Sequence, residues 1–147
     1  MEEIKGASKN FEIVELEKKI RTEEGKGDFL VEFLKQGELG RGGKKISHIY
    51  VATMSRGVVR GNHYHKKKTE WFSIFNGMVK VATENIRTKK RDDFILDSSG
   101  KSLKRVRINT GVAHAFKNIS NSNVVLVAYS SKVYDSKKPD TYEYKLL

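Results

Sequence analysis

Short apolar runs, broken every few residues by Gly, Asn, Asp or Ser, occur along the whole chain and predict an all-β fold. The predicted strands are Phe11–Glu17, Asp28–Lys35, Ile46–Met54, Trp71–Phe75, Met78–Thr83, Phe94–Leu96, Arg105–Ile108, Ala113–Asn118 and Val124–Tyr129. The dipeptide Asn76-Gly77 is a hairpin signal because both residues tolerate positive φ, and Ser120–Asn123 predicts a second turn. Only Glu15–Glu24 resembles a helix, and glycines cut it short. Many short strands without helices leave a sandwich, a jelly roll or a barrel.

The strand that begins at Glu70 has two different faces. Its alternation places Glu70, Phe72 and Ile74 on one face, and Trp71, Ser73 and Phe75 on the other. If Glu70 points into the fold, then Trp71 and Phe75 point outward and need a cover. The N-terminal strands or a second subunit would supply it, and we expect a homodimer.

The length and the lack of cysteine limit the chemistry. A chain of 147 residues is long enough for one core, so we expect a single domain over residues 1–147. Without cysteine there are no disulfides and no thiolate ligands, so any metal must be held by nitrogen and oxygen. That argues against a structural zinc knot and favours a site with an open position.

The charge balance predicts an anionic ligand. Lys plus Arg number 29 against 18 Asp plus Glu, a formal net charge of +11. Such a field attracts nucleic acid or the pyrophosphate of a sugar nucleotide. The basic residues stand in short groups without interleaved aromatic residues, so nucleic acid is the less favoured partner. No apolar run reaches the roughly 20 residues of a membrane span, and the polar start lacks a secretory signal, so we expect a cytoplasmic protein.

Two clusters of residues suit a metal ion. The first contains Gly57, His63, His65, Glu70 and Gly77, and the second contains Gly111, His114 and Asn118. His63 and His65 are two apart and therefore share a face on a strand. Three imidazoles and one carboxylate suit Zn, Fe(II), Mn, Ni or Co, with one or two positions left for water or substrate. The remaining histidine, His48, is interpreted as a packing or surface residue.

These clusters resemble the two motifs of the cupin superfamily, G(X)5HXH(X)4E(X)6G and PXG(X)2H(X)3N. In the second motif Asn109 stands where proline is usual, which affects a turn and leaves the ligands unchanged. The resemblance implies a jelly-roll β-barrel, the double-stranded β-helix, with metal ligands His63, His65, Glu70 and His114. The motif glycines and Asn118 would then serve turns and close backbone packing.

The flanking residues resemble one branch of the cupins. Arg60-Gly61-Asn62-His63-Tyr64-His65 is similar to the RGxHyH segment of RmlC-like cupins, the group of dTDP-4-dehydrorhamnose 3,5-epimerase. The tail Tyr134-Asp135-Ser-Lys-Lys-Pro139-Asp140-Thr141-Tyr142 is similar to the FDPxxPDTY ending of the C-terminal cupin domain in capsular polysaccharide UDP-sugar enzymes. That resemblance implies zinc and epimerisation at C3 of a UDP-linked 4-keto-6-deoxy sugar. The metal-free rhamnose epimerases have glutamine near His65 and lysine near Glu70, so their histidine base does not carry over to His63.

The resemblance also implies roles for further residues and for partners. Arg60 would bind a pyrophosphate oxygen of a UDP- or dTDP-linked keto-sugar, and Tyr134 is the first candidate for general acid, before Tyr64 and Lys117. The fused reductase domain of the capsular enzymes is absent, so we expect any partner reductase to be a separate chain. Two alternatives stay open. Three histidines and one glutamate also form the Fe(II) site of cupin dioxygenases, and a cupin can bind a sugar nucleotide without catalysis.

Overall fold

The computed structural model describes residues 11–20, 29–39 and 48–147, and within these ranges the fold is all-β. The strands are β1 Phe11–Glu17, β2 Lys19–Ile20, β3 Phe29–Leu30, β4 His48–Met54, β5 Val59–Tyr64, β6 Glu70–Ile74, β7 Met78–Asn85, β8 Arg91–Asp97, β9 Ser102–Ile108, β10 Val112–Asn118, β11 Val124–Ser130 and β12 Tyr142–Glu143. A single 3₁₀ turn, Gln36–Leu39, accompanies them in the described part of the chain.

Two five-stranded antiparallel sheets form the body of the protein. Their strand orders are β1-β9-β6-β11-β4 and β12-β5-β10-β7-β8, while β2 and β3 pair separately. The apolar core contains buried residues of both sheets. Phe72 of the first sheet meets Phe116 of the second edge to face, with ring centroids 4.4 Å apart. The alternation of apolar and polar residues therefore buries one face of each sheet against the other.

The predicted strands are largely confirmed, but the predicted hairpin is wrong. Asn76-Gly77 does form a turn, and Gly77 has a φ of 73°. The strands on either side, β6 and β7, nevertheless belong to different sheets. The Asn76 side chain instead binds the start of β11. Its Oδ1 accepts from the Val125 amide at 2.9 Å, and its Nδ2 donates to the Asn123 carbonyl at 2.6 Å. A turn signal indicates a reversal of the chain and leaves the strand's partner undetermined.

The predicted strand Asp28–Lys35 is wrong over most of its length. Asp28 lies outside the described residues, and only Phe29–Leu30 is extended before an irregular stretch that leads into the 3₁₀ turn. Phe33 and Leu34 are adjacent in sequence, and both pack against Trp71 and Tyr129. A strand would point neighbouring side chains to opposite faces, so this joint contact is incompatible with one.

The same segment supplies the cover that the outward face of β6 requires. Trp71 is 2% exposed and stacks on Tyr129 at 5.4 Å. Phe33 meets both Tyr129 and Phe75 edge to face, at 5.3 and 5.6 Å. The chain therefore covers this face itself, and the homodimer stays a prediction without that support. Among the described residues there is no helix with the length and apolar character needed to cross a membrane.

Candidate metal centre and cavity

Strand β5 carries a β-bulge directly before the histidines. Its pairing with β10 matches His114 with His63 and then Ala115 with Gly61, so Asn62 is the extra residue. Strict alternation would turn residues three apart to opposite faces. Because of the extra residue, Arg60 and His63 both line the same cavity. The bulge thus places a candidate metal ligand, His63, and a cationic side chain, Arg60, at one cavity.

Gly61 is required where the bulge brings two backbones together. It has a φ of 89°, and a Cβ at this position would lie 2.7 Å from the His114 carbonyl oxygen. Any other residue would be strained and would push β5 away from β10. Asn118 is also structural, since its buried amide donates to the carbonyls of Met54 and Ser122, each at 2.8 Å.

Three histidines converge in the space between the sheets. His63 and His114 lie on neighbouring strands, His65 directly follows β5, and one ring nitrogen from each lies within 4.8 Å of the other two. His65 and His114 are buried, with 4% and 3% exposure. Among the described residues this is the group whose geometry suits a metal ion, and His48 is not part of it.

Backbone carbonyls set the orientation of two imidazoles. The Nδ1 of His65 lies 2.6 Å from the Asp140 carbonyl oxygen, and the Nδ1 of His114 lies 3.1 Å from that of Val112. A carbonyl oxygen only accepts, so each Nδ1 carries the proton and each Nε2 presents a lone pair when the ring is neutral. This is the usual arrangement of histidines that bind metals.

Glu70 completes the donor set. Its Oε1 lies 2.5 Å from His65 Nε2, which is buried and has no hydrogen-bond partner of good geometry. A lone pair and a carboxylate oxygen repel at that distance unless a proton or a metal cation lies between them. The chemistry of the four side chains therefore fits a divalent metal, which His63, His65, His114 and Glu70 would hold.

The surroundings keep these groups in the form that a metal needs. Burial lowers the pKa of His63 to about 4 and that of His114 to about 3, so both are neutral at pH 7. For Glu70 burial acts to raise the pKa, but the close contact with His65 and the charges of His114 and Lys68 lower it to about 2. The neutral imidazoles of His63 and His114 and the ionised carboxylate of Glu70 can bind a cation without first releasing protons.

A cavity of about 230 Å³ opens beside the histidines. Tyr50, Arg60, Phe72 and Phe116 contribute to its wall, together with His63, Glu70 and His114. The Tyr50 hydroxyl donates to Glu70 Oε2 at 2.8 Å, and burial followed by the Glu70 charge raises its pKa. Arg60 is exposed, and its Nε donates to the Thr53 carbonyl at 3.2 Å. The cavity thus has the candidate metal ligands at one end and a cationic side chain at the surface.

The structure brings together four predicted ligands and Arg60, but it leaves the three predicted proton carriers outside the cavity lining. Tyr64 packs on the aromatic rings of Tyr142 and Tyr144, at 5.2 and 6.2 Å. Lys117 is exposed on β10, and Tyr134 is 54% exposed in the segment between β11 and β12. Their catalytic roles stay predictions.

Tyr50 is the cavity residue that sequence reasoning missed. The signal was available in part, because β4 was predicted and Tyr50 shares a face with Ala52, which also lines the cavity. Alternation gives the face of a residue but not its neighbour across the fold. The contact with Glu70 depends on β6 and β4 both pairing with β11, which the sequence pattern does not specify.

The comparisons with known proteins agree with this architecture. A family model described as the polysaccharide biosynthesis C-terminal domain matches residues 22–142. The chain belongs to this family. A curated relative, UDP-2-acetamido-2,6-beta-L-arabino-hexul-4-ose reductase of Pseudomonas aeruginosa, is 32% identical over 90 residues. That match covers 61% of this chain but only 24% of the relative, so the domain corresponds to about a quarter of that protein.

Solved structures with the same fold are sugar-nucleotide and capsule proteins. The capsular polysaccharide assembling protein CapF of Staphylococcus aureus superposes with a TM-score of 0.62 at 22% identity, covering 67% of this chain and 28% of CapF. The dTDP-6-deoxy-D-glucose-3,5-epimerase RmlC of Legionella pneumophila superposes with a TM-score of 0.77 at 16% identity, covering 97% of this chain and 76% of RmlC. The 4-keto-6-deoxy sugar epimerase NovW of Streptomyces spheroides gives 0.72 at 18%, covering 88% and 67%. At these identities the likeness is one of fold, and the predicted RmlC-like cupin jelly roll is confirmed.

Proposed function

We propose that this domain epimerises a nucleotide-linked 4-keto-6-deoxy sugar in the synthesis of a surface polysaccharide, with a divalent metal held by His63, His65, Glu70 and His114. The observation that carries the proposal is the convergence of these donors on a cavity that Arg60 also lines. The description of the family supports a role in polysaccharide synthesis, and the names of the fold neighbours NovW and RmlC support epimerisation as the reaction.

The size of the cavity supports a binding mode in which only the sugar part of the substrate enters it. At about 230 Å³ it is smaller than the roughly 300–1,000 Å³ of pockets that enclose whole ligands. The reacting sugar ring would enter beside the histidines, and the nucleotide would remain at the surface. There the planar guanidinium of Arg60 suits a pyrophosphate oxygen, and the formal charge of +11 favours the approach of the dianion.

The reaction itself is an exchange of protons. One proton leaves the carbon beside the ketone, and one returns to the opposite face, with no net oxidation. When bound, a zinc or similar ion would supply a Lewis acid for the negative charge that develops on the ketone oxygen. Tyr50, whose hydroxyl stays protonated beside Glu70, is a proton donor within the cavity, in addition to the predicted Tyr134, Tyr64 and Lys117.

Isotope exchange tests the proposal directly. We would incubate zinc-loaded protein in heavy water with UDP- and dTDP-linked 4-keto-6-deoxy sugars and follow deuterium by proton NMR and mass spectrometry. Deuterium at C3 alone is expected for a 3-epimerase, and deuterium at C3 and C5 would instead indicate the rhamnose-type reaction. The absence of exchange with every sugar, despite a loaded metal site, would refute the proposal. Iron in the purified protein together with oxygen consumption would favour the dioxygenase alternative.

Two tyrosine variants separate the candidate proton carriers. General acid–base catalysis contributes about 10²–10⁴-fold to a rate, so Tyr50→Phe is expected to slow deuterium exchange by about 100-fold or more if Tyr50 transfers the proton. Tyr134→Phe, changed in the same way outside the cavity lining, is the matched comparison. Full activity of Tyr134→Phe would place the proton carrier elsewhere, and full activity of Tyr50→Phe would exclude Tyr50.

A further inference from the structure

The C-terminal tail, residues 139–147, lies along the strand that carries the histidines. Strand β12 pairs with β5 through Tyr142 opposite Tyr64 and Glu143 opposite His63. The Tyr144 amide then donates to the Asn62 carbonyl at 2.7 Å. The Tyr142 ring stacks on Tyr64, so side chains as well as backbone join the two segments. The tail therefore forms the edge of the sheet beside the metal-binding strand.

The end of the tail binds the bulge. Asn62, the extra residue of β5, has a φ of 55°, a conformation that asparagine tolerates better than most residues. Its Oδ1 accepts from the amides of Leu146 and Leu147, at 2.8 and 3.1 Å, and its Nδ2 donates to the Leu147 carbonyl at 3.1 Å. These three hydrogen bonds between the Asn62 side chain and the tail fix the bulge, which in turn places Arg60 and His63 on the same side of β5.

The start of the tail binds His65 and the loop that follows it. The Asp140 carbonyl oxygen accepts from His65 Nδ1 at 2.6 Å. The Asp140 carboxylate accepts from the backbone amides of Lys66, Lys67 and Lys68, at 2.9, 2.9 and 3.1 Å. These three residues belong to the four-residue loop that connects His65 to Glu70. One residue therefore fixes both the ring of a ligand and the loop between two ligands.

We propose that Asp140 is a positioning residue for the metal centre, and that the C-terminal tail holds β5 in its metal-binding geometry. This inference rests on the proposed metal site, because its purpose is to aim His65 Nε2 at the space shared with Glu70. The Asp140 carbonyl sets the orientation of the His65 ring. The Asp140 carboxylate ties the tail to the loop Lys66–Lys68, so that the carbonyl stays at hydrogen-bond distance from the ring. Hydrogen bonds of this kind to a ligand contribute roughly 10–100-fold to metal affinity.

Three variants test the role of Asp140. Asp140→Ala removes the acceptor for all three loop amides, and Asp140→Asn keeps one carbonyl oxygen in the same place. Asp135→Asn is the matched control, because the exposed Asp135 carboxylate accepts only from the Lys137 amide within its own turn, at 2.9 Å. Zinc affinity would be measured by competition with a chromophoric chelator. The His65 Nδ1–H proton would be followed by ¹⁵N-resolved NMR in the metal-free protein, where its exchange with water reports the bond to the carbonyl.

The expected result is graded. Asp140→Ala should lower zinc affinity by about 10–100-fold and weaken the protection of the Nδ1–H proton, because the backbone carbonyl remains but its position is no longer fixed; Asp140→Asn should lie between it and wild type, and Asp135→Asn should match wild type. If Asp140→Ala does not fold, Asp140→Asn alone must still weaken the protection of that proton. Wild-type affinity and a fully protected proton in both Asp140 variants would overturn the inference. If the wild-type protein binds no zinc, the proposed function fails, while the proton signal still decides whether Asp140 orients His65.

Discussion

Two buried charged side chains, Arg105 and Glu70, lie on opposite faces of the same sheet and differ in their partners. Only Arg105 has a hydrogen-bond partner of opposite charge. On the outer face, Arg105 is 3% exposed and donates through Nη1 to Glu38 and to the Phe33 carbonyl. On the inner face, Glu70 is 5% exposed and meets the Nε2 of His65. In the first case a cation meets two acceptors. In the second, a carboxylate oxygen lies 2.5 Å from an imidazole nitrogen that has no hydrogen-bond partner of good geometry.

The difference shows that burial alone does not distinguish a structural charge from a functional one. The Arg105 pair fixes the segment 29–39 over Trp71, and its donors and acceptors match within the protein. The Glu70 group presents an excess of acceptors toward one point, with the two further imidazoles nearby. An imidazole nitrogen without a hydrogen-bond partner that faces a carboxylate, with two further imidazoles beside it, offers the set of donor atoms that a bound cation would need.

The largest effect is expected on the outer face. Arg105→Ala should lower the free energy of unfolding by about 3 kcal/mol, because it leaves Glu38 without its partner at the sheet surface. Urea denaturation would measure the loss. Arg107→Ala on the same strand is the matched control, since Arg107 pairs with Glu12 at 3.0 Å while about a third exposed, and should cost under about 1 kcal/mol. Equal losses in both variants would contradict the distinction, as would a change of zinc affinity in Arg105→Ala.

On the inner face the expected effect falls on affinity and leaves stability nearly unchanged. His63→Ala removes one ligand and should lower zinc affinity by more than about 100-fold, the upper cost of removing a supporting hydrogen bond. The metal-free variant should unfold at nearly the wild-type urea concentration, because His63 is neutral and partly exposed. His48→Ala, a histidine outside the cluster, should bind zinc normally. Normal zinc binding by His63→Ala would remove this histidine from the site.

The smallest effect should have the opposite sign. Lys68 Nζ lies 3.8 Å from Glu70 Oε1, so its charge opposes a second cation at that carboxylate. Lys68→Gln should raise zinc affinity by about 1.4–5-fold, the equivalent of about 0.2–1 kcal/mol. Lys80→Gln breaks a pair with Asp93 of the same 3.8 Å length on a distant strand and should leave affinity unchanged. A fall in affinity for Lys68→Gln would mean that the lysine supports the site.

Sequence reasoning predicted most strands and all four converging donors, and several of its errors have one physical origin. Ligand type and spacing identify His63 and His65 because two residues apart on a strand means one face. Pairing across the fold depends on contacts far apart in the chain, so the turn at Asn76 was assigned to a hairpin and the contact of Tyr50 with Glu70 was missed. For the same reason the sequence does not decide whether the N-terminal strands or a second subunit cover Trp71, and the structure shows that Phe33 and Leu34 do so.

The bulge at Asn62 changes how the spacing of the first motif is understood. Five residues separate Gly57 from His63, and one of them is the extra residue of the bulge. The five-residue spacing in the motif therefore depends on the β-bulge as well as on the positions of the ligands. A designer who moved these histidines onto a regular strand would keep every side chain and still turn Arg60 away from them. Transfer of this site to another protein would therefore require the bulged backbone of β5 and the tail that binds it, in addition to the side chains.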